Sequence, residues 1–344
     1  RYHASSGTTG KPTLVGYTRN DIAEWTTSLA RGMTSLGVGR GDVIQNCYGY
    51  GLFTGGLGFH YAGEMVGAVV LPTGAGGTER QIEFIKDLGS TIITCTPSYF
   101  LHINEIARDI GVDLARTELR AGMFGAEPWS DDMRRRMENT GVKAYDVYGT
   151  SELSGPLFTE CKIQKGMHLW ADQFLAEIID PKTGETVSDG ESGELVVTTL
   201  SKEALPLLRY RTGDLTILNS EVCDCGRTHP RLMRIRGRVD DMLIIRGINV
   251  FPSQVESVLM RVPELGESYE LIIDRVHELD VMTVRVETTE RTKDKTSDLS
   301  ALEKKVTQML RNVLNVDVKV DLVQPRTLNR SIGKAKRVVD NRKI

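Results

Sequence analysis

Lys143-Ala144-Tyr145-Asp146-Val147 runs without a break into Tyr148-Gly149-Thr150-Ser151-Glu152. The first five residues read as a strand, and the glycine two places on ends it. A polar loop that leaves a strand in this way lies at the carboxyl edge of a sheet, where α/β proteins place ligands. The same unit recurs upstream. Short apolar stretches at 43–47, 68–71, 91–95 and 119–124 alternate with helix-length segments at 79–87, 98–110 and 130–140, each opening near a capping residue or an acid. This rhythm predicts βα units on a mainly parallel sheet.

Downstream the pattern changes. After Gly166 come strand-like runs at 174–179 and 194–200 joined through the turn Asp180-Pro181-Lys182-Thr183-Gly184, which predicts antiparallel β structure. From Asp241 the chain reads as a small α+β unit. Ser253-x-x-Glu256 and Ser300-x-x-Glu303 are capping boxes that start two helices, runs at 271–274, 281–286 and 318–320 are strand-like, and 289–300 is a polar connection. The expected fold class is α/β: a large N-terminal α/β domain with a β-sheet subdomain, residues 1–239, and a small mobile α+β domain, residues 240–344.

The bulk numbers agree. A chain of 344 residues suits two domains. Charged residues make up 26% and apolar residues 40%, with no apolar run near the roughly 18 residues of a membrane span. Lys plus Arg is 43 against 46 for Asp plus Glu, a net charge of −3, so there is no basic excess for a nucleic-acid backbone. Five cysteines are too few, and odd in number, for a disulfide scaffold, which points to a reducing, cytoplasmic setting. The first residue is Arg1 and no leader follows it.

Several motifs carry chemistry. Ser5-Ser6-Gly7-Thr8-Thr9-Gly10-Lys11-Pro12-Thr13 packs five hydroxyls, two glycines and a lysine into nine positions. Glycines let backbone N–H groups turn toward an anion and Lys11 adds charge, so the segment can wrap a polyphosphate; the plainer reading is a Ser/Thr/Gly turn. It is not a Walker A loop, because Gly7 and Gly10 are too close and Pro12 stands where the metal-binding hydroxyl belongs. Glu152 can hold a hard cation, with Thr150 as a neighbouring oxygen donor. Gly125-Ala126-Glu127-Pro128 lines the same edge. Tyr210-Arg211-Thr212-Gly213-Asp214 places an acid on a tight turn, suited to accept from a ribose diol. Gly237-Arg238-Val239-Asp240-Asp241 at the domain boundary, followed by Arg246-Gly247-Ile248-Asn249-Val250, reads as a hinge or as an ordinary polar linker. Near the C-terminus Gly333-Lys334-Ala335-Lys336-Arg337 presents a lysine on a glycine, and a basic tail of this kind is otherwise solvated surface.

Together and in this order the motifs resemble the adenylate-forming superfamily of acyl- and aryl-CoA synthetases, adenylation domains and luciferases, across almost the whole chain. Within it the chain is similar to the phenylacetate–CoA ligase family, on His3-Ala4-Ser5-Ser6-Gly7-Thr8-Thr9-Gly10-Lys11-Pro12, Tyr48-Gly49-Tyr50-Gly51-Leu52-Phe53-Thr54-Gly55-Gly56-Leu57-Gly58 and Gly333-Lys334-Ala335-Lys336-Arg337. There are two departures. The family carries a longer segment before the phosphate loop, which implies that part of the N-terminal subdomain is missing here. Tyr148-Gly149-Thr150-Ser151-Glu152 differs from the broader Tyr-Gly-x-Thr-Glu pattern in its fourth residue, which leaves the metal-side donor open between Thr150 and Ser151.

The resemblance implies a two-step ligase that uses ATP, magnesium and coenzyme A on a small aryl acid. The charge balance and the absence of a long apolar run argue against a nucleic-acid or membrane partner, and a homodimer stays open. By analogy Ser5, Ser6, Gly7, Thr8, Thr9, Gly10 and Lys11 hold the β and γ phosphates, Glu152 holds magnesium, and Lys334 bridges the carboxylate and the α-phosphate. Asp214 binds the ribose hydroxyls with help from Arg238. Glu127, Pro128 and Tyr148 frame adenine, and Asp146, Gly149 and Thr150 complete the nucleotide site. Rotation about Asp240 then brings Gly247 to the pantetheine, and Tyr48 and Phe53 supply the aryl pocket, although aromatics beside a glycine run are also ordinary core. Other readings stay open: an adenylation enzyme for another aryl acid or for a carrier protein, or a nucleotide-binding remnant without turnover.

A second constellation is separable from this one. Cys161 and His168 are followed much later by Cys223 and Cys225, three thiols and an imidazole from two β-rich segments, which suits a closed structural zinc site. The other reading is two unrelated loops. Cys47 and Cys95 lie in apolar strands and read as core.

Overall fold

The computed structural model describes residues 1–5, 13–246, 248–276, 279–290, 292, 296–329 and 337–342. They fall into two compact units, one of Arg1–Glu127 with Met137–Val239 and one of Pro128–Arg136 with Asp240–Ile344.

The first unit opens with an antiparallel hairpin, β1 (Tyr2–Ser5) and β2 (Thr13–Gly16), in which Ser5 lies opposite Thr13. Helix α1 (Arg19–Ser35) starts where Thr18 Oγ1 accepts from Asp21 N and the Asp21 carboxylate accepts from Thr18 N, a reciprocal cap that satisfies two backbone donors at its start. Strands β3 (Val43–Asn46), β4 (Val69–Leu71), β5 (Ile92–Cys95), β6 (Ala121–Gly125) and β7 (Lys143–Tyr148) then follow with α2 (Thr54–Met65), α3 (Thr78–Asp87) and α4 (Pro97–Asp109) between them, while α5 (Asp131–Glu138), between β6 and β7 in sequence, falls mostly in the second unit. The strands pair in parallel in the order β4-β3-β5-β6-β7. These are the predicted strands, with ends moved by one or two residues; α1 and α2 were not read from the sequence.

The chain then turns antiparallel. Strands β8 (Phe158–Glu160), β9 (Met167–His168), β10 (Phe174–Ile179), β11 (Ser192–Thr199), β12 (Tyr210–Asn219), β13 (Arg231–Leu232) and β14 (Gly237–Arg238) extend the sheet beyond β7 in the order β8-β9-β13-β12-β11-β10, with β14 on β12. The Tyr210–Asp214 stretch is therefore not a tight turn. It forms the first half of a ten-residue strand, kinked where Gly213 takes a φ of 77° and the register against β11 shifts between Glu194 and Val196. Trp25, Phe158 and Trp170 are buried in a core shared by α1 and the antiparallel strands, and Leu29, Met33, Ile44, Phe59 and Met123 in one under the parallel strands.

In the second unit β15 (Leu243–Ile245) and β16 (Ile248–Val250) form a hairpin. Helix α6 (Pro252–Leu259), β17 (Leu265–Val276), β18 (Leu279–Thr288), α7 (Thr296–Leu314), β19 (Lys319–Val323) and β20 (Val338–Asp340) follow, with sheet order β19-β18-β17-β20. Leu271, Ile273, Met282, Val284 and Val286 alternate along β17 and β18 and are all buried, the period of a one-faced sheet. Neither predicted capping box starts its helix. Phe251 precedes α6, its N–H donating to Gln254 Oε1 at 2.9 Å, and Pro252 takes the first helical position, where a missing N–H costs nothing. The α7 helix begins at Thr296, ahead of Ser300. Among the described residues no helix is long and apolar enough to cross a membrane.

Candidate functional site

The loop after β7 is shaped by its glycines. A Cβ on Gly149 would stand 1.6 Å from the Gly155 carbonyl oxygen, so only glycine lets the loop fold onto itself. Within it Gly155 N and Leu153 N both donate to Thr150 O, at 2.6 and 3.2 Å. The Tyr17 hydroxyl reaches across from the end of β2 and donates to Ser151 O. The segment is thus a fixed turn at the carboxyl end of the last parallel strand, with Thr150 and Glu152 half-buried.

Tyr148 and Asp214 meet at this edge. The Tyr148 hydroxyl donates to Asp214 Oδ2 at 2.7 Å, and Arg238 Nη1 donates to Asp214 Oδ1 at 3.0 Å, with Asp214 placed opposite Arg238 in the β12–β14 pairing. Asp214 is buried, and its own N–H donates to Thr212 Oγ1 at 3.1 Å. Burial, then the neighbouring Asp214 charge, pushes the Tyr148 phenol well above its ordinary value, so it stays a donor. Asp146, two residues back on the same strand, is buried with Arg234 Nε 3.8 Å from its carboxylate.

Glu152 gathers groups that the motif reading missed. Burial pulls the Lys202 ammonium down to about 8, against the opposing pull of Asp21 and Glu152. Its Nζ donates to Ser154 Oγ at 3.1 Å and stands 4.0 Å from the centre of the Tyr17 ring. The Tyr210 phenol is raised by burial and then by Glu152, with Arg238 and Asp214 also within reach, so Glu152 and the Asp214 pair belong to one electrostatic neighbourhood. Nothing in the sequence around Lys202 or Tyr17 marks them; only the antiparallel strands bring them there.

The other predicted residues are placed as follows. Glu127 Oε1 accepts from Ser98 N at 2.6 Å, in the first turn of α4, where a carboxylate is favoured by the exposed N–H groups. It follows Ala126, which adopts a φ of 72°, and precedes half-buried Pro128. The Tyr48 hydroxyl lies 2.7 Å from Cys95 O and 3.2 Å from Gly125 O, bridging the ends of β5 and β6, and its ring stacks on Phe59 at 5.3 Å. Phe53, just before α2, is 58% exposed. Ser5 ends β1, and Asp240 is exposed. Ser6, Gly7, Thr8, Thr9, Gly10, Lys11, Gly247 and Lys334 lie outside the described residues. Cys47 and Cys95 are buried core thiols.

Known proteins are similar to this chain over nearly its whole length. The model described as AMP-binding enzyme matches residues 4–201, and that described as AMP-binding enzyme C-terminal domain matches 247–342. A phenylacetate-coenzyme A ligase of Aromatoleum evansii is 47% identical over 99% of this chain and 78% of its own length. One of Thermus thermophilus is 45% identical over 100% of this chain and 81% of its own. The chain belongs to the phenylacetate–coenzyme A ligase family of AMP-binding enzymes. A crystal structure of 2-hydroxyisobutyryl-CoA ligase, in the postadenylation state with 2-HIB-AMP, superposes with a TM-score of 0.93 at 30% identity, covering 99% of this chain and 74% of that one.

In this member of the phenylacetate–coenzyme A ligase family the cysteine–histidine residues also converge. Cys161 follows β8, His168 is in β9, and Cys223 and Cys225 lie between β12 and β13. Their four ligand atoms lie within 4.8 Å of one another, and the elements that carry them are not those that carry Tyr148, Glu152 and Asp214.

Proposed function

We propose that the chain is an AMP-forming phenylacetate–coenzyme A ligase. A carboxylate oxygen of the acid attacks the α-phosphorus of ATP and pyrophosphate leaves. The thiol of coenzyme A then attacks the acyl carbonyl, loses its proton, and AMP leaves. The first step brings two anions together, so cations and oriented donors must offset their repulsion. The observation that carries the reading is whole-chain identity of 45–47% to phenylacetate-coenzyme A ligases, together with a buried carboxylate, Asp214, held at the carboxyl edge of the sheet by Tyr148 and Arg238.

In this reading Asp214 accepts from the ribose hydroxyls while Arg238 and Tyr148 fix its orientation. Tyr148, Glu127 and Pro128 frame adenine, with Asp146 and Gly149 shaping the floor. The hydroxyl-rich run from Ser5 to Lys11 wraps the outer phosphates. Glu152 is a half-buried carboxylate beside Lys202 and Tyr210, a hard oxygen donor of the kind magnesium prefers, and Thr150 lies next to it. A magnesium ion there would neutralise triphosphate charge. Lys334 bridges the acid and the α-phosphate. Between steps the second unit turns about Asp240, and Gly247 leaves room for the pantetheine chain. The fixed Tyr48 ring lines the aryl pocket, with Phe53 at its mouth.

Ranking acids by kcat/KM tests this reading. Burying a phenyl ring adds about 1.5–3 kcal/mol over a methyl, so phenylacetate should exceed acetate by roughly 10- to 150-fold. Equal values would remove the aryl assignment.

A further inference from the structure

We propose that Cys161, His168, Cys223 and Cys225 bind one structural zinc ion that holds together the junction between the parallel and antiparallel halves of the large sheet. Thiolates about 2.3 Å and an imidazole nitrogen about 2.0–2.1 Å from a tetrahedral zinc lie about 3.8 Å apart sulfur to sulfur and about 3.6 Å apart sulfur to nitrogen. Cys161 Sγ and Cys223 Sγ are 3.8 Å apart, and Cys225 Sγ is 3.4 Å from His168 Nε2. Those match two of the six edges of a zinc tetrahedron, and the other four are no longer than 4.8 Å. A disulfide would need about 2.05 Å, and all five cysteines are free.

The surroundings suit a closed site. Cys161, His168 and Cys223 are buried, and with four protein ligands no position is left for substrate, which separates structural from catalytic zinc. Cys223 and Cys225 sit on a tight knuckle in which Gly226 N donates to Cys223 O at 2.8 Å and Gly226 takes a φ of 83°. Three thiolates and one zinc carry a net charge of −1. Arg227 Nη1, 3.5 Å from Cys225 Sγ, lies where it offsets that charge.

The position explains why an ion is needed. Between β12 and β8 the sheet is continued only by β13 and β9, two residues each, paired Arg231 with His168 and Leu232 with Met167. So short a ladder orders little backbone by itself. Through it β12, which carries Asp214, is aligned with β7, which carries Tyr148. The ion would tie the end of β8, β9 and the loop leading to β13 to one point.

The test uses the full chain, purified without added metal. Elemental analysis should find about one zinc per chain, and X-ray absorption should give three sulfurs and one nitrogen at the distances above. Stripping the metal should lower Tm by roughly 10 °C. Refilling with cobalt should give the intense visible bands and thiolate charge-transfer absorption of a tetrahedral site. Cys225→Ser should weaken metal retention at least 100-fold, whereas His168→Cys should keep one zinc with four sulfurs, which distinguishes lost coordination from misfolding. A chain with no zinc whose Tm does not respond to zinc or a chelator, or one with a Cys161–Cys223 disulfide, would overturn the proposal. Neither outcome bears on ligase activity, which rests on other residues.

Discussion

The Tyr148 hydroxyl stands 2.7 Å from Asp214 Oδ2, joining the last parallel strand to the long antiparallel strand through a buried bond. Sixty-six positions separate the two residues in sequence. In the sheet the strands that carry them are separated by β8, β9 and β13.

Removing that bond separates structure from binding. Tyr148→Phe should cost about 1–3 kcal/mol in urea unfolding, because the buried Asp214 carboxylate loses one of its hydrogen-bond donors. Asp214→Asn keeps the volume but places a donor where a ribose diol needs an acceptor, so KM for ATP should rise at least tenfold with kcat less affected. An unchanged KM for ATP would take Asp214 out of the nucleotide site.

Gly149→Ala is the sharpest test of the loop. The added methyl has no room beside the Gly155 carbonyl, so the turn carrying Glu152 must open. Adenylate formation should fall more than 100-fold while far-UV circular dichroism stays native. Full activity would mean that the loop geometry does not matter to the reaction.

Much of this was legible in the sequence, and the rest was not for identifiable reasons. The strands at 43–46 and 143–148 announce themselves because apolar stretches bounded by glycine and polar segments have few other readings. Gly149 was visible as a breaker, and Cys161, His168, Cys223 and Cys225 as a ligand set. Tyr210–Asp214 looked like a turn because glycine usually ends a strand, but here a bulge absorbs Gly213 inside β12. Ser253 and Ser300 fitted a local capping pattern, yet Pro252 and the earlier start at Thr296 decide those helices. Lys202 carries no local signal at all. It matters through Tyr17, Ser154 and Glu152, contacts that only the folded chain creates.

Lys202 gives a pH signature. It releases its proton near pH 8 in the folded chain and near 10.5 when unfolded, so between those values the unfolded chain binds more protons and stability rises with pH. Tyr17, whose phenol burial holds above its ordinary value, pulls the other way near the top of that range as the unfolded phenol ionises, but it does so with and without Lys202 and drops out of a difference between the two proteins. The unfolding free energy of wild type, less that of Lys202→Met, should increase from pH 8 to 10.5. A flat difference would mean that Lys202 is solvated.

Lys334→Ala should abolish adenylate formation and leave thioester formation from preformed phenylacetyl-adenylate largely intact, since that residue is assigned to the first step alone. Equal loss in both half-reactions would remove the assignment.

The central claim is that the chain activates an aryl acid as an adenylate before transferring it to a thiol. Exchange of labelled pyrophosphate into ATP, run without coenzyme A, measures the first half directly. The account predicts exchange that depends on phenylacetate and magnesium, and that gives way to stoichiometric AMP and phenylacetyl-CoA once coenzyme A is added. No acid-dependent exchange, or product formation accompanied by ADP instead of AMP, would contradict it.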